Sequence, residues 1–296
     1  MKTYLECYPC FMRQALEAAR RRNLTDEKAR EVMVSVGKAF EDVSLDMSPP
    51  EIGGALKSII QKYTGSEDPY REEKREFTAL AQALYPRLVE RVTGSSQPLF
   101  AAAVIAIVGN IIDLAVLSTG EVRSRLDFLL SEELDAARRE SREVFSFDEF
   151  HHAVRAAREI LYIGDNAGET VFDKVLIEAI LRENPEAKIV FATRGEPVLN
   201  DAILEDAQEA GLDEVASLIS SGSDLPGTVL DRTTQEFQEL FRGADLVISK
   251  GQGNYESLSD AGRDVFFLLI AKCPVLADDV GCRVGDIVLV HREPEL

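Results

Sequence analysis

An acid and an amide stand side by side where an apolar run gives way to a helix-like pattern. Ile163-Gly164-Asp165-Asn166-Ala167-Gly168-Glu169 follows Ile160-Leu161-Tyr162 and precedes a helical stretch from Thr170. Asp and Asn at a strand end are hard oxygen ligands suited to Mg²⁺ or Mn²⁺. They are also ordinary turn residues, so the motif needs partners. Those partners sit behind later apolar runs: Thr193-Arg194-Gly195 with Asn200-Asp201, Ser220-Ser221-Gly222-Ser223-Asp224, and Lys250-Gly251-Gln252-Gly253-Asn254-Tyr255-Glu256. In a parallel sheet all strand ends meet on one rim, where residues remote in sequence converge. Carboxylates from separate loops there hold a cation, Lys250 answers phosphate as a point charge, and small residues let N–H groups approach phosphate oxygens. For Asp201 a helix N-cap is the rival assignment. Neither glycine loop is a Walker sequence or a G-x-G-x-x-G fingerprint, which weakens ATPase and dinucleotide readings. No Gly-x-Ser-x-Gly elbow supports a serine hydrolase.

The elements that would position these residues change rhythm along the chain. Residues 9–22, 26–41, 50–63 and 69–92 show helix-like spacing, with Thr25 and Ser48-Pro49-Pro50 as helix starts. Residues 99–117 are apolar enough to raise a membrane span, but Gly109, Asn110 and Asp113 interrupt them, and a buried helix is expected. A further helix is expected over 123–143. From about residue 150, short apolar runs recur at 160–163, 188–192, 216–219, 246–248, 266–271 and 287–290, mostly separated by helical segments. That alternation predicts an α/β fold: a Rossmann-like, mostly parallel sheet with helices on both faces, preceded by a helical N-terminal region. The last two runs lie closer together and predict an antiparallel or irregular edge. The expected division is 1–150 for the helical region and 151–296 for the Rossmann-like metal-binding domain.

The 296 residues carry a formal net charge of −19, with no basic stripe, which argues against a nucleic-acid partner. No signal-peptide pattern opens the chain, and the four cysteines (Cys7, Cys10, Cys273, Cys282) do not read as a disulfide framework, so a cytoplasmic protein is expected. Cys7 and Cys10 are half a zinc site or a redox pair on spacing alone; buried inert thiols or a place beside the active site are better readings. Asn110 and Asp113 share a helix face and either cap neighbours or project toward the site. His151 and His152 read as surface residues, and His291 has no obvious partner.

Taken together, Cys7-Tyr8-Pro9-Cys10, Gly109-Asn110-Ile111-Ile112-Asp113, the 164–169 motif, Asn200-Asp201 and the 250–256 stretch resemble the DUF89 family, also called the damage-control phosphatase or ARMT1-like family, in its prokaryotic branch. The resemblance implies a helical region joined to a Rossmann-like domain and divalent-metal-dependent hydrolysis of phosphate esters. It implies that Asp165, Asn166 and Asp201 hold the metal (Mn²⁺, Mg²⁺, Co²⁺ or Ni²⁺) and that Lys250 contacts phosphate. It also places Cys7 and Cys10 beside the site. The stretch 250–256 departs from the Lys-Gly-Asp-Leu-Asn-Tyr-Arg form of eukaryotic relatives, at positions that bear on substrate choice. The expected activity is therefore a phosphatase acting on small phosphorylated metabolites such as sugar phosphates. Asp165 and Lys250 are the catalytic candidates; Gly251, Asn254, Glu256, Glu169, Ser220, Gly222, Thr193 and Arg194 are the substrate-binding candidates. Asp165 as a covalent nucleophile remains open beside activation of water. Two other readings are an S-adenosylmethionine-dependent carboxyl methyltransferase, an activity also proposed for relatives, and a non-catalytic metal-binding module.

Overall fold

The computed structural model describes residues 1–112, without the side chains of 110–112, and residues 144–294. The Asn110 side chain, Asp113 and the helix expected over 123–143 therefore lie outside the described residues.

Helices α1 (Cys7–Arg21), α2 (Asp26–Ala39) and α3 (Pro49–Thr64) pack around a core of their own that includes Phe11, Ala15, Val32, Val36, Ile52 and Leu56. Their starts are the expected ones. Thr25 caps α2 by accepting from Lys28 N, and Glu51 Oε2 accepts from Ser48 N at 2.7 Å while Pro49 and Pro50 occupy the first turn of α3. Helix α4 (Arg71–Thr93) and helix α5 (Pro98–Ile112) do not belong to that core: Leu84, Leu88 and the buried stretch from Leu99 to Val108 pack against the sheet. From Leu99 to Val108 helix α5 is apolar all round because it is covered all round. Among the described residues no helix is long and apolar enough to cross a membrane.

Six strands form one sheet: β1 (Glu159–Ile163), β2 (Lys188–Thr193), β3 (Ser217–Ser220), β4 (Leu246–Lys250), β5 (Val265–Ile270) and β6 (Ile287–Arg292), in the order β3-β2-β1-β4-β5-β6. The first five are parallel, and β6 runs antiparallel to β5, with Val265 opposite Arg292 and Ile270 opposite Ile287. Of the two forms expected for this edge, antiparallel or irregular, it takes the antiparallel one. Alternation sorts the strand residues between two cores. Ile160, Tyr162, Phe191, Ile248 and Leu268 face α4, α5, α6 (Phe147–Ala156) and α7 (Thr170–Glu183). Leu161, Ile163, Val247, Phe267 and Val288 face α9 (Gln235–Gly243), α10 (Gln252–Leu258) and α11 (Pro274–Val280). A short α8 (Leu204–Glu209) follows β2.

The strand order reverses direction between β1 and β4. In an open α/β sheet that switch point opens a crevice beyond the strand ends, because the connections leave to opposite sides there. Helix α3 reaches this rim. A Cβ on Gly53 would meet Pro226 Cγ at 2.5 Å and one on Gly54 would meet Leu225 Cδ2 at 2.4 Å, so the helix seats on the loop after β3 only because both residues lack side chains.

Candidate active site at the switch point

Two loops are joined here by backbone pairing. Ala202 N donates to Asp165 O at 2.7 Å, Ala167 N donates to Asn200 O at 3.0 Å, and Asn166 lies opposite Asp201 as an isolated antiparallel bridge. The loop after β1 and the loop after β2 are thereby held in register, and Asp165, Asn166 and Asp201 are all buried beside one another. Asp201 is not the helix cap: α8 begins at Leu204, and the cap position is Ile203, whose N–H donates to Asp206 Oδ2 at 2.9 Å. What Asp201 faces is Arg194. The guanidinium gives Nε to Asp201 Oδ2 at 2.6 Å and Nη2 to Asp165 Oδ1 at 3.4 Å. Asn166 Nδ2 donates to Asp165 Oδ2 at 3.1 Å and to Glu169 Oε1 at 2.5 Å, so its amide oxygen is the atom that could hold a cation.

The β4 end closes the site from the other side. A Cβ on Gly251 would stand 1.9 Å from Asp165 Oδ2, and its φ is +81°, so both space and backbone require glycine. Its N–H is spent on Leu268 O at 3.0 Å. Lys250 is buried, and Nζ donates to Asp173 Oδ1 at 2.7 Å, to the Ala106 carbonyl of α5 at 2.8 Å and to Glu169 Oε2 at 3.4 Å. All three ammonium protons thus have protein acceptors. Asp173 Oδ1 also accepts from Tyr162 OH at 2.7 Å. Asn254 Nδ2 donates to Gly164 O at 3.0 Å and Lys250 O at 2.7 Å, and its Oδ1 accepts from Thr228 Oγ1 at 2.8 Å and Arg194 Nη1 at 3.0 Å.

Burial, then the charges of Asp201 and Glu169, pushes the Asp165 carboxyl well above its ordinary range; Arg194 and Lys272 pull the other way. Burial raises Asp201 too, against the opposing charge and hydrogen bond of Arg194. The pair therefore holds a proton more readily than free carboxylates do, and a divalent cation relieves the same desolvation and repulsion. Burial also opposes the charge on Lys250, but Asp173 and Glu169 overcome it and its pKa rises. As a donor set, two carboxylates and an amide oxygen on hard-ligand chemistry fit Mg²⁺ or Mn²⁺ completed by water. Among the described residues no group of three or more His, Cys, Asp or Glu side chains is already drawn together as a cation site. Here the donors number two acids and one amide, with a guanidinium against the acids.

Several expected participants have hydrogen-bond partners outside the acid cluster. Glu256 lies two residues beyond Asn254 on α10, hence on another helix face. Its carboxyl, pushed up to about 7 by burial, accepts from Gln252 Nε2 at 2.7 Å, and the same amide donates to Cys273 Sγ at 3.4 Å. Burial raises the thiols of Cys7 and Cys273, and the charge of Glu256 raises both further; neither is in a disulfide and both are partly exposed, while Cys10 accepts from Gln14. Thr193 and Ser220 pair across β2 and β3, and Ser220 Oγ accepts from Gly222 N at 3.1 Å; no described hydrogen bond joins them to the acid cluster. His151 bonds Glu183 on the surface, whereas His291, without an evident partner in sequence, stacks on Phe266 at 4.3 Å. Conversely Asp173, Tyr162 and Thr228 escaped sequence reasoning. Asp173 had a signal: a lone acid between Phe172 and Val175 on a helix buried on nearly every side. Thr228 had none.

A doubly wound sheet with paired carboxylates, an amide and a buried lysine at its switch point defines an α/β protein with an acid-cluster site. The model of the damage-control phosphatase ARMT1-like domain matches residues 3–288, and the chain belongs to that family. It is 32% identical over 299 residues to a damage-control phosphatase of Pyrococcus horikoshii, with 100% of both chains covered. It is 34% identical over 233 residues to a damage-control phosphatase of Archaeoglobus fulgidus, covering 77% of each. A crystal structure of a DUF89 family protein from Pyrococcus horikoshii superposes with a TM-score of 0.87 at 30% identity, over 99% of this chain and 100% of that one. The relatives' names assign a phosphatase role within the family.

Proposed function

We propose that this protein is a divalent-metal-dependent phosphatase of small phosphorylated metabolites, such as sugar phosphates, working in the cytoplasm. One observation carries the reading: the backbone bridge between Asn166 and Asp201 brings oxygen donors of two loops together at the switch point. Asp165, Asn166 and Asp201 would hold the cation, with Mn²⁺, Mg²⁺, Co²⁺ and Ni²⁺ as candidates. When bound, such an ion supplies Lewis-acid polarisation of the phosphoryl group and a more acidic water. Lys250 contributes positive charge from behind Glu169 and Asp173. Direct contact with phosphate requires it to release an acceptor, and the 3.4 Å contact with Glu169 is the longest of the three. Asn254 ties the end of β1 at Gly164 to the end of β4 at Lys250, and Glu169 orients the Asn166 amide. The rim residues Thr193, Ser220 and Gly222 remain the candidates for contact with the rest of the substrate. The charge of −19 favours a small ion over a polyanionic nucleic acid.

The test is phosphate release from a panel of phosphate monoesters by chelator-stripped protein, resupplied with each cation in turn. Activity should require the cation, and Asp165→Ala or Asp201→Ala should lower kcat/KM by about 10³-fold or more. Hydrolysis indifferent to chelator and to both substitutions would end the proposal. An acid-stable phosphoprotein trapped on quenching would favour Asp165 as nucleophile over activation of water. The strand order also suits a nucleotide-cofactor fold, so a methyltransferase reading predicts metal-independent S-adenosylmethionine binding in calorimetry; the phosphatase reading predicts none.

A further inference from the structure

Arg194 is the largest fully buried side chain of the protein's described residues, 1% exposed, and every nitrogen of its guanidinium is committed. Nη1 donates to Thr228 Oγ1 at 2.9 Å and Asn254 Oδ1 at 3.0 Å, Nε to Asp201 Oδ2 at 2.6 Å, and Nη2 to Asp165 Oδ1 at 3.4 Å. Bidentate phosphate recognition uses a fork of two parallel N–H groups. Here both edges of the fork face protein oxygens, which is the wrong arrangement for a substrate ligand.

The anchors are themselves fixed. Asn254 is tied to the backbone at Gly164 and Lys250, and Thr228 and Asn254 are both 0% exposed. Thr228 follows the segment 225–227, on which Gly53 and Gly54 of α3 seat. The guanidinium plane is thus set by groups that have no part in holding a cation, and its other edge meets one oxygen from each of the two acids. The formal charges have the same logic. With all groups ionised, four buried carboxylates (Asp165, Glu169, Asp173, Asp201) outnumber the two buried cations they contact (Lys250, Arg194), an excess of negative charge that suits a cation.

We propose that Arg194 is a positioning residue, a fixed internal cation that aligns Asp165 and Asp201 for a divalent metal ion, and not a ligand of the substrate phosphate. This rests on the metal site proposed above. Groups that orient metal-binding carboxylates through hydrogen bonds typically contribute about 10–100-fold in metal affinity. Lysine at this position keeps the charge but loses the planar fork, so it restores the alignment only in part.

The experiment is calorimetric titration of Mn²⁺ into chelator-stripped wild type, R194K, R194M and T228V, with melting temperatures and inorganic phosphate titrations alongside. T228V removes an anchor without touching either acid, and keeps the test alive where R194M fails to fold. The expected result is Mn²⁺ affinity falling in the order wild type, R194K, R194M, by about ten-fold or more for the last, and several-fold for T228V. Mn²⁺ affinity within two-fold of wild type in the folded variants overturns the proposal: a lowered melting temperature alone then marks a structural residue, and weakened phosphate binding alone marks a substrate ligand. Wild type that binds Mn²⁺ no better than D165A sinks the underlying metal site instead, a distinguishable failure.

Discussion

Gly251→Ala is the sharpest single perturbation of the site. The added methyl carbon would stand 1.9 Å from Asp165 Oδ2 and 2.2 Å from its Cγ. Relaxed heavy-atom contacts lie near ~3.5 Å, so the carboxylate must retreat by about 1.5 Å. Misplacement of a reacting group by roughly 1 Å costs on the order of 10²-fold in rate. The backbone adds a separate cost, because φ of +81° with ψ of 162° lies in a region essentially reserved for glycine, at about 1–3 kcal/mol. Gly262 is the open-space control: it too has a positive φ, +70°, and a Cβ there meets nothing within 4 Å. Both variants should melt a few degrees lower, roughly 2–4 °C per kcal/mol for a chain of this order of size. Only G251A should lose kcat/KM by about 100-fold with Mn²⁺ supplied, measured as initial phosphate release on the best substrate of the panel. If G251A keeps more than a tenth of wild-type kcat/KM, or if G262A loses as much, the close approach to Asp165 is not what this glycine provides.

Lys250→Met should destabilise the protein by about 3–5 kcal/mol in denaturant unfolding, because Asp173 and Glu169 lose a buried counter-cation; an unchanged midpoint would show that the ion pairs are not formed. Tyr162→Phe removes one donor to Asp173 while leaving Lys250 in place, and a loss of about 1–3 kcal/mol is expected. Glu256 gives a pH signature. Its folded pKa of about 7 exceeds the ordinary 4.5, so between those values the native state keeps a proton that the unfolded chain has released. Stability therefore declines as pH rises through that window and levels off above it. Glu256→Gln should melt close to wild type near pH 4.5 and progressively higher than wild type toward pH 8; a constant difference across the series would refute the assignment.

The elements were legible because their signals are local. Ser48-Pro49-Pro50-Glu51 starts α3 through a capping arrangement readable in four letters, and the apolar runs at 160–163 and 188–192 coincide with β1 and β2 to within a residue. The run at 216–219 slips by one to Ser217–Ser220, as befits a half-exposed edge strand with weak alternation. The antiparallel β6 followed from its short distance to β5. Convergence of Asp165, Asn166 and Asp201 was foreseeable from parallel strands ending on one rim, but the backbone bridge that enforces it was not, since loop pairing leaves no compositional trace. Glu256 looked equivalent to Asn254 as a letter in one motif. Helical rotation sends it to the thiol side, where Gln252 and Cys273 are its company. Lys250 read as a point charge for phosphate; one of its three protein acceptors, the Ala106 carbonyl, depends on α5 lying against the sheet, a contact between segments far apart in sequence.

The bare seat that Gly53 and Gly54 offer to Leu225 and Pro226 makes the amino-terminal three-helix head a mechanical neighbour of the chemistry. Anyone recombining this head with another member's α/β body must transplant the glycine pair and the 225–228 bend as one cassette. Either half grafted alone would lift Thr228 out of its socket.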